Sequence, residues 1–100
     1  MATSPINKEQ ITRIFGNTAI SMSAGTVGTY VGQSDVSVAV SGYVPVSCSL
    51  RGIGHQSSYH PLIKFRPDLN IVNFVFYRAT TSAYDIPAND VNVIVVYEKA

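Results

Sequence analysis

Between Val36 and Leu50, apolar and small residues alternate with a period of two. Val36, Val38 and Val40 are interleaved with Ser37, Ala39 and Ser41; after Gly42 the alternation resumes, with Val44, Val46, Cys48 and Leu50 separated by Pro45, Ser47 and Ser49. A period of two puts every second side chain on one face of an extended chain, whereas a helix needs apolar residues three and four apart. Two half-covered strands are expected, with Val44, Val46, Cys48 and Leu50 on the covered face of the second. Pro45 has no amide hydrogen to give a ladder, so this strand belongs at a sheet edge or carries a bulge. The apolar residue types agree: 13 Val and 9 Ile stand against 3 Leu, with 6 Tyr, 4 Phe and no Trp. β-Branched and aromatic side chains suit a pleated surface. The class expected is all-β.

Two further runs are apolar on both faces. Ile71 to Tyr77 is broken only by Asn73, and Val91 to Tyr97 sets Val91, Val93, Val95 and Tyr97 against Asn92, Ile94 and Val96. Strands of this kind are covered on both sides. A chain of 100 residues has one small core and few positions for such strands. Phe74, Val75, Phe76, Val93, Val95 and Val96 are therefore expected to include residues covered only on self-assembly. The first 16 residues differ. Ser4 and Pro5 read as a helix N-cap and first helical position, Ile6, Gln10, Arg13 and Ile14 can continue at helical spacing, and Gly16 would stop the helix. An extended arm fits Ile11 to Ile14 as well. The expected organisation is an arm or short helix over 1–16 and a β domain over 17–100, with long loops over 51–61 and 79–89.

Seven Lys and Arg against six Asp and Glu give a net charge of +1, so the chain as a whole has no electrostatic footprint for a phosphate backbone. Lys64 and Arg66 share one strand face beside Arg51 and Arg78, with Phe65 and Tyr77 nearby. Asp68, Asp85 and Asp90 interleave with them, so a solvated, ion-paired face is expected and nucleic acid is not an expected partner. No signal-peptide pattern opens the chain and no apolar run approaches the roughly 18 residues of a membrane span. Synthesis in the cytoplasm without membrane insertion is the expectation. Cys48 is alone, so no internal disulfide forms, and its phase makes it a small core hydrophobe. His55 and His60 lack a third ligand at a suitable spacing, so no metal or other cofactor is expected. Ser57, His55 and Asp68 compose a triad on paper, but no nucleophile elbow occurs. Gly25, Gly28 and Gly32 are spaced too widely for a dinucleotide fingerprint and read as turns or bulges. No catalytic residue is assigned, and an enzyme is not expected.

The densest cluster of His, Tyr and Arg lies between Arg51 and Pro61. Recognition loops use this kind of polar mixture around Tyr, so the candidate binding set is Arg51, His55, Gln56, Tyr59 and His60, joined by Tyr84 and Asp85 from the later connection. The order of pieces is also informative: an opening strand, a Gly-rich turn, a Val-alternating strand, SGYVPVSCS over 41–49, a loop, NIVNFVFYRAT over 70–80, and an ending Val91-x-Val93-x-x-x-Tyr97. This pattern, spanning roughly 17–100, resembles the carboxy-terminal knob domains of bacteriophage tail-fibre and receptor-binding proteins. The resemblance implies a small, jelly-roll-like β-sandwich, a homotrimer, and loops that touch a glycan or protein on the host surface. Such knobs normally follow a fibrous shaft, whereas this chain begins with a short arm. A small head-fibre or capsid decoration protein is therefore an equal expectation, with the arm holding other virion proteins. The expected function is that of a non-enzymatic virion protein for host attachment. The alternative is a small bacterial carbohydrate-binding, lectin-like module, with Tyr in place of the missing Trp.

Overall fold

The structure, a computed structural model, describes residues 9–100. Eight strands follow one another: β1 (Gln10–Gly16), β2 (Ile20–Met22), β3 (Tyr30–Ser37), β4 (Tyr43–Ile53), β5 (Tyr59–Arg66), β6 (Ile71–Arg78), β7 (Tyr84–Ile86) and β8 (Val91–Lys99). A single 3-10 turn, Pro67–Leu69, joins β5 to β6, and the described residues contain no α-helix. Every pairing is antiparallel, in three sheets of order β1-β8-β4, β3-β6-β5 and β2-β7. The chain is all-β, as its alternation implies.

The two doubly apolar runs become the central strands of the two larger sheets. Along β8, Val91, Val93, Val95 and Tyr97 are fully buried, while Asn92, Ile94, Val96 and Glu98 are half-buried on the opposite face. From β6 come Val72, Phe74 and Phe76, and these seven residues with Val38, Tyr59 and Ile86 form one hydrophobic cluster. Each fully buried side chain of this size contributes about 1.5–3 kcal/mol relative to exposure. Polar ends are satisfied inside the cluster. The Tyr97 hydroxyl donates to the Val38 carbonyl at 2.5 Å, and the Tyr59 ring meets Phe76 edge-on with centroids 5.1 Å apart.

Several expectations need correction. Of the two readings of the first segment, arm or helix, residues Gln10–Gly16 take the extended one, as a strand paired with β8 from Gln10↔Glu98 to Gly16↔Asn92. Ile11 and Phe15 pack against the core while Ile14 stays exposed. The weak helical spacing loses because the open edge of β8 offers a full ladder of backbone partners. The rest of the expected arm or helix, residues 1–8, lies outside the described residues. In β4 the covered phase is reversed near its start. Pro45 is buried, and Val44 and Val46 are exposed. The cause is a bulge at Val46, where the register to β8 jumps between Pro45 and Ser47. One extra residue shifts every later side chain to the other face. β4 is also an edge strand, so both expected consequences of Pro45 occur together. Leu50, expected on the covered face, is exposed beside a second register jump between Leu50 and Gly52.

The long loops are shorter than the turn residues imply. β4 continues to Ile53 and β5 starts at Tyr59, which leaves only 54–58 unpaired. The 79–89 connection contains β7, paired with β2 from Ile20↔Ile86 to Met22↔Tyr84. The expected assembly residues Phe74, Phe76, Val93 and Val95 are completely covered within one chain, and Val75 is 4% exposed. One chain achieves this because the central strands of the two larger sheets contribute to one shared cluster. Only Val96 of that set keeps appreciable surface.

Phe76→Ala should lower unfolding stability by about 3–5 kcal/mol, since it empties a site at the centre of the cluster. Urea unfolding followed by circular dichroism measures this, and a loss under about 1 kcal/mol would show that the cluster collapses freely around the gap.

Candidate functional site

The open face of the β3-β6-β5 sheet is organised in rows by the pleat. Residues directly opposite one another across a ladder share a face, so the register puts Tyr30, Tyr77 and His60 in one row and Gln33, Val75 and Leu62 in the next. Asp35, Asn73 and Lys64 form the third row, and Ser37, Ile71 and Arg66 the fourth. A cavity of about 290 Å³ opens on this face, lined by Gln33, Asp35, Lys64, Arg66, Leu69, Ile71 and Asn73. Its floor is the central strand β6, and its two walls are the edge strands β3 and β5.

Asn73 organises the cavity. It is nearly buried, and its side-chain amide donates to Asp35 Oδ1 at 2.5 Å and to Gln33 Oε1 at 3.2 Å. Both acceptors on the β3 wall are thereby held in fixed rotamers. On the β5 wall, Lys64 has no carboxylate within 4.0 Å among the described residues, while Arg66 Nε lies 3.8 Å from Asp68 Oδ1 with both side chains exposed. Such an exposed pair is worth little. Asp35 and Lys64 flank Asn73 on opposite strands, their backbones roughly 10 Å apart at two inter-strand spacings, and no ion pair joins them. Beyond the cavity, Tyr30 and Tyr77 meet edge-on with centroids 6.2 Å apart, and both rings are accessible.

The loop residues expected to bind are arranged differently. Tyr59 is fully buried, because as the first residue of β5 it falls on the covered face. Its hydroxyl donates to Asp90 Oδ2. Asp90 Oδ1 lies 2.9 Å from His55 Nδ1, and the His55 ring leans on Tyr84 with centroids 5.1 Å apart. The Asp90 side chain is 8% exposed and the His55 side chain 51%. The Gly54 amide donates to the Asp90 carbonyl at 2.8 Å, and a Cβ at Gly54 would collide with the Asp90 carboxylate. Asp90 thus latches the β4–β5 turn onto the start of β8. His55, Tyr59 and Tyr84 are brought together, but around a structural carboxylate. Arg51, Gln56 and Asp85 are exposed and join no cluster with these three. His60 belongs to the open face described above, in the row with Tyr77.

The partner of His55 is Asp90 and not Asp68, which sits in the 3-10 turn beside Arg66. Among the described residues, no group of three or more His, Cys, Asp or Glu side chains gathers to hold a metal. Cys48 is half-buried, and desolvation pushes its thiol pKa upward, which keeps it a poor nucleophile. The groove residues Gln33, Asp35 and Asn73 escaped the sequence reading, which had Lys64 and Arg66 only as a solvated face. Their signal was present as polar residues at a spacing of two on strands, and only the cross-strand register assembles them. Comparisons with protein-family models, curated proteins and solved structures yield no match to this chain.

Burial, then the hydrogen bond to Asp90, raises the Tyr59 pKa far above the ordinary value of 10.0. A folded-state pKa raised in this way gives stability that is complete below the unfolded value near 10 and is lost as pH rises beyond it. Tyr59→Phe should therefore weaken the protein at neutral pH by about 1–3 kcal/mol, the cost of leaving Asp90 short of a donor. It should also flatten the alkaline decline in thermal midpoint above pH 10 relative to the parent. An unchanged alkaline slope would show that Tyr59 ionises freely in the folded state.

Proposed function

We propose that the chain is a non-enzymatic recognition domain, a two-layer β-sandwich that binds a saccharide of a host or bacterial surface on the open face of its β3-β6-β5 sheet. The observation that carries this reading is the cavity in which Asn73 fixes an acceptor wall, Gln33 and Asp35, opposite a donor wall, Lys64 and Arg66. Sugar hydroxyls both donate and accept, and a shallow polar site with preset hydrogen-bonding groups suits them. The accessible Tyr30 and Tyr77 rings extend the face with surfaces on which a sugar ring can stack. The open setting, with no charged group held in a desolvated cleft, argues against a catalytic site.

The resemblance to phage fibre knobs supplies the biological setting of this proposal: a virion protein of a tail fibre, head fibre or capsid decoration that attaches to a host. A homotrimer belongs to the same proposal. The middle rows of the open face of the β1-β8-β4 sheet carry Thr12, Ile14, Ile94, Val96, Ser47 and Ser49, with no ionisable side chain among them, and Glu98 lies in the next row at one end. A second copy of this chain is the occupant that such a partly apolar face, charged only at its Glu98 end, suits. The lectin-like alternative uses the same cavity, and gene neighbourhood separates the two.

Binding is tested by titrating labelled protein with a panel of neutral and acidic surface oligosaccharides and following amide shifts. Shifts centred on Gln33, Asp35, Lys64 and Asn73 are expected; shifts centred on 54–58, or none with any saccharide, would overturn the assignment. Assembly is tested by light scattering. Ile14→Asp, at a position 56% exposed in one chain, should leave the fold intact and release monomers. A variant that kept the parent's oligomeric mass, or a monomeric parent, would remove this face as the interface.

A further inference from the structure

We infer that the cavity selects an acidic sugar, a hexuronic acid unit, with the carboxylate on the Lys64 and Arg66 wall and a hydroxyl pair on the Asp35 and Gln33 wall. This rests on the saccharide reading above and narrows it to a ligand class.

The cations and the carboxylate of the cavity stand on opposite walls. Lys64 has no carboxylate within 4.0 Å among the described residues, and Arg66, two residues along on the same face, has only the exposed contact to Asp68 at 3.8 Å. The donor wall therefore presents two cations with spare hydrogens. The opposite wall is a pure acceptor at Asp35 Oδ2, since Asn73 already occupies Oδ1. A neutral sugar can satisfy Asp35 with its hydroxyls but offers nothing charged to the β5 wall. An anion alone can satisfy Lys64 but is repelled by Asp35. The ligand that suits both walls carries hydroxyl donors at one end and an anionic acceptor at the other, across the width of a single ring.

A hexuronic acid has that arrangement. Its carboxylate on C5 lies across the pyranose from the C2 and C3 hydroxyls. Charge-assisted hydrogen bonds from Lys and Arg to a carboxylate are roughly twice as strong as neutral ones. Ile71 and Leu69 line the same cavity and can take the C–H face of the ring. From Asn73 to Tyr77 the open face runs four residues, roughly 13 Å at the strand rise of about 3.3 Å per residue. It crosses Val75 and Leu62 to reach the Tyr30 and Tyr77 rings. Further sugar units of the same chain can lie along that strip.

The test uses oligomers of glucuronic, galacturonic and mannuronic acid, each beside its methyl ester, which keeps ring and hydroxyls but removes the charge. Calorimetric titration and amide shifts are read together. At least one acid should bind about tenfold or more tightly than its ester, a difference of about 1.4 kcal/mol. That preference should shrink with added salt. Lys64→Gln should abolish it while Lys64→Arg retains it, and Asp35→Asn should weaken acid and ester alike. Thermal melts check that the three variants stay folded, as expected at exposed positions. Equal binding of acid and ester on this face, or an acid preference that survives Lys64→Gln, overturns the inference and leaves the saccharide reading standing. Tighter binding of a sulfated glucan than of any uronate also overturns it, in favour of a sulfate ligand. Failure of every saccharide, charged or neutral, removes both.

Discussion

Mutual burial of two strands governs the structure. Val91, Val93, Val95 and Tyr97 of β8 and Val72, Phe74 and Phe76 of β6 share one cluster with no residual exposure, and neither strand can be covered unless it sits at the centre of its own sheet. β8 therefore needs β1 and β4 as neighbours, and β6 needs β3 and β5. The chain meets this demand by sending β3, β4 and β5 alternately to the two sheets. The early residues then have to close the edge of β8. Asn17, 1% exposed, secures that closure: its Oδ1 accepts from the Val91 amide at 2.9 Å and its Nδ2 donates to the Thr18 and Pro87 carbonyls.

The candidate site follows from the same constraint. A central strand buried on one face still has a second face, and on β6 that face carries Asn73 and Val75, only 9% and 4% exposed. They are shielded by neighbours on the two edge strands, Gln33 and Asp35 on one side and Leu62 and Lys64 on the other. A nearly buried amide must be hydrogen-bonded, and Asn73 takes its partners from the β3 wall. Satisfying Asn73 thus also pre-positions the acceptors of the cavity, so the stability of the sheet and the geometry of the site depend on one side chain.

This division explains what could be read from residues alone. The strands around Val72–Phe76 and Val91–Tyr97 were legible because apolar patterning reports burial directly. β1 was not, since its strand state is imposed by the edge of β8 and leaves only weak local traces at Ile11 and Phe15. The phase of β4 failed at one residue, Val46, because a bulge is a property of the paired strand. The cavity was missed for a related reason. Composition drew attention to the Arg51–Pro61 segment, where His55 and Tyr59 look free to bind. The structure buries Tyr59 and bonds both to Asp90, while half of the His55 side chain stays exposed. The residues that do share a cavity are scattered over 33–73 and look ordinary in sequence. Lys64 and Arg66 were visible as a shared strand face, but nothing local to them pointed to Asn73, Gln33 or Asp35 on the neighbouring strands.

The two open faces are chemically unlike, and that difference has physical consequences. On the β1-β8-β4 sheet, Ile14, Ile94 and Val96 lie among Thr and Ser with no ionisable neighbour in their rows. Association through those rows gains from removing apolar surface without desolvating a charge there. On the β3-β6-β5 sheet, Asp35 and Lys64 are held apart by Asn73 and remain hydrated. Self-association through that face would have to strip water from unpaired charges, a cost that a ligand carrying the complementary groups avoids. A chain with only 13% charged residues thus places three of them around one cavity, while the middle rows of the opposite face carry none and Glu98 lies in the row beyond them. That asymmetry is what the proposed reading rests on, with copies meeting through one sheet and the other left to a polar ligand.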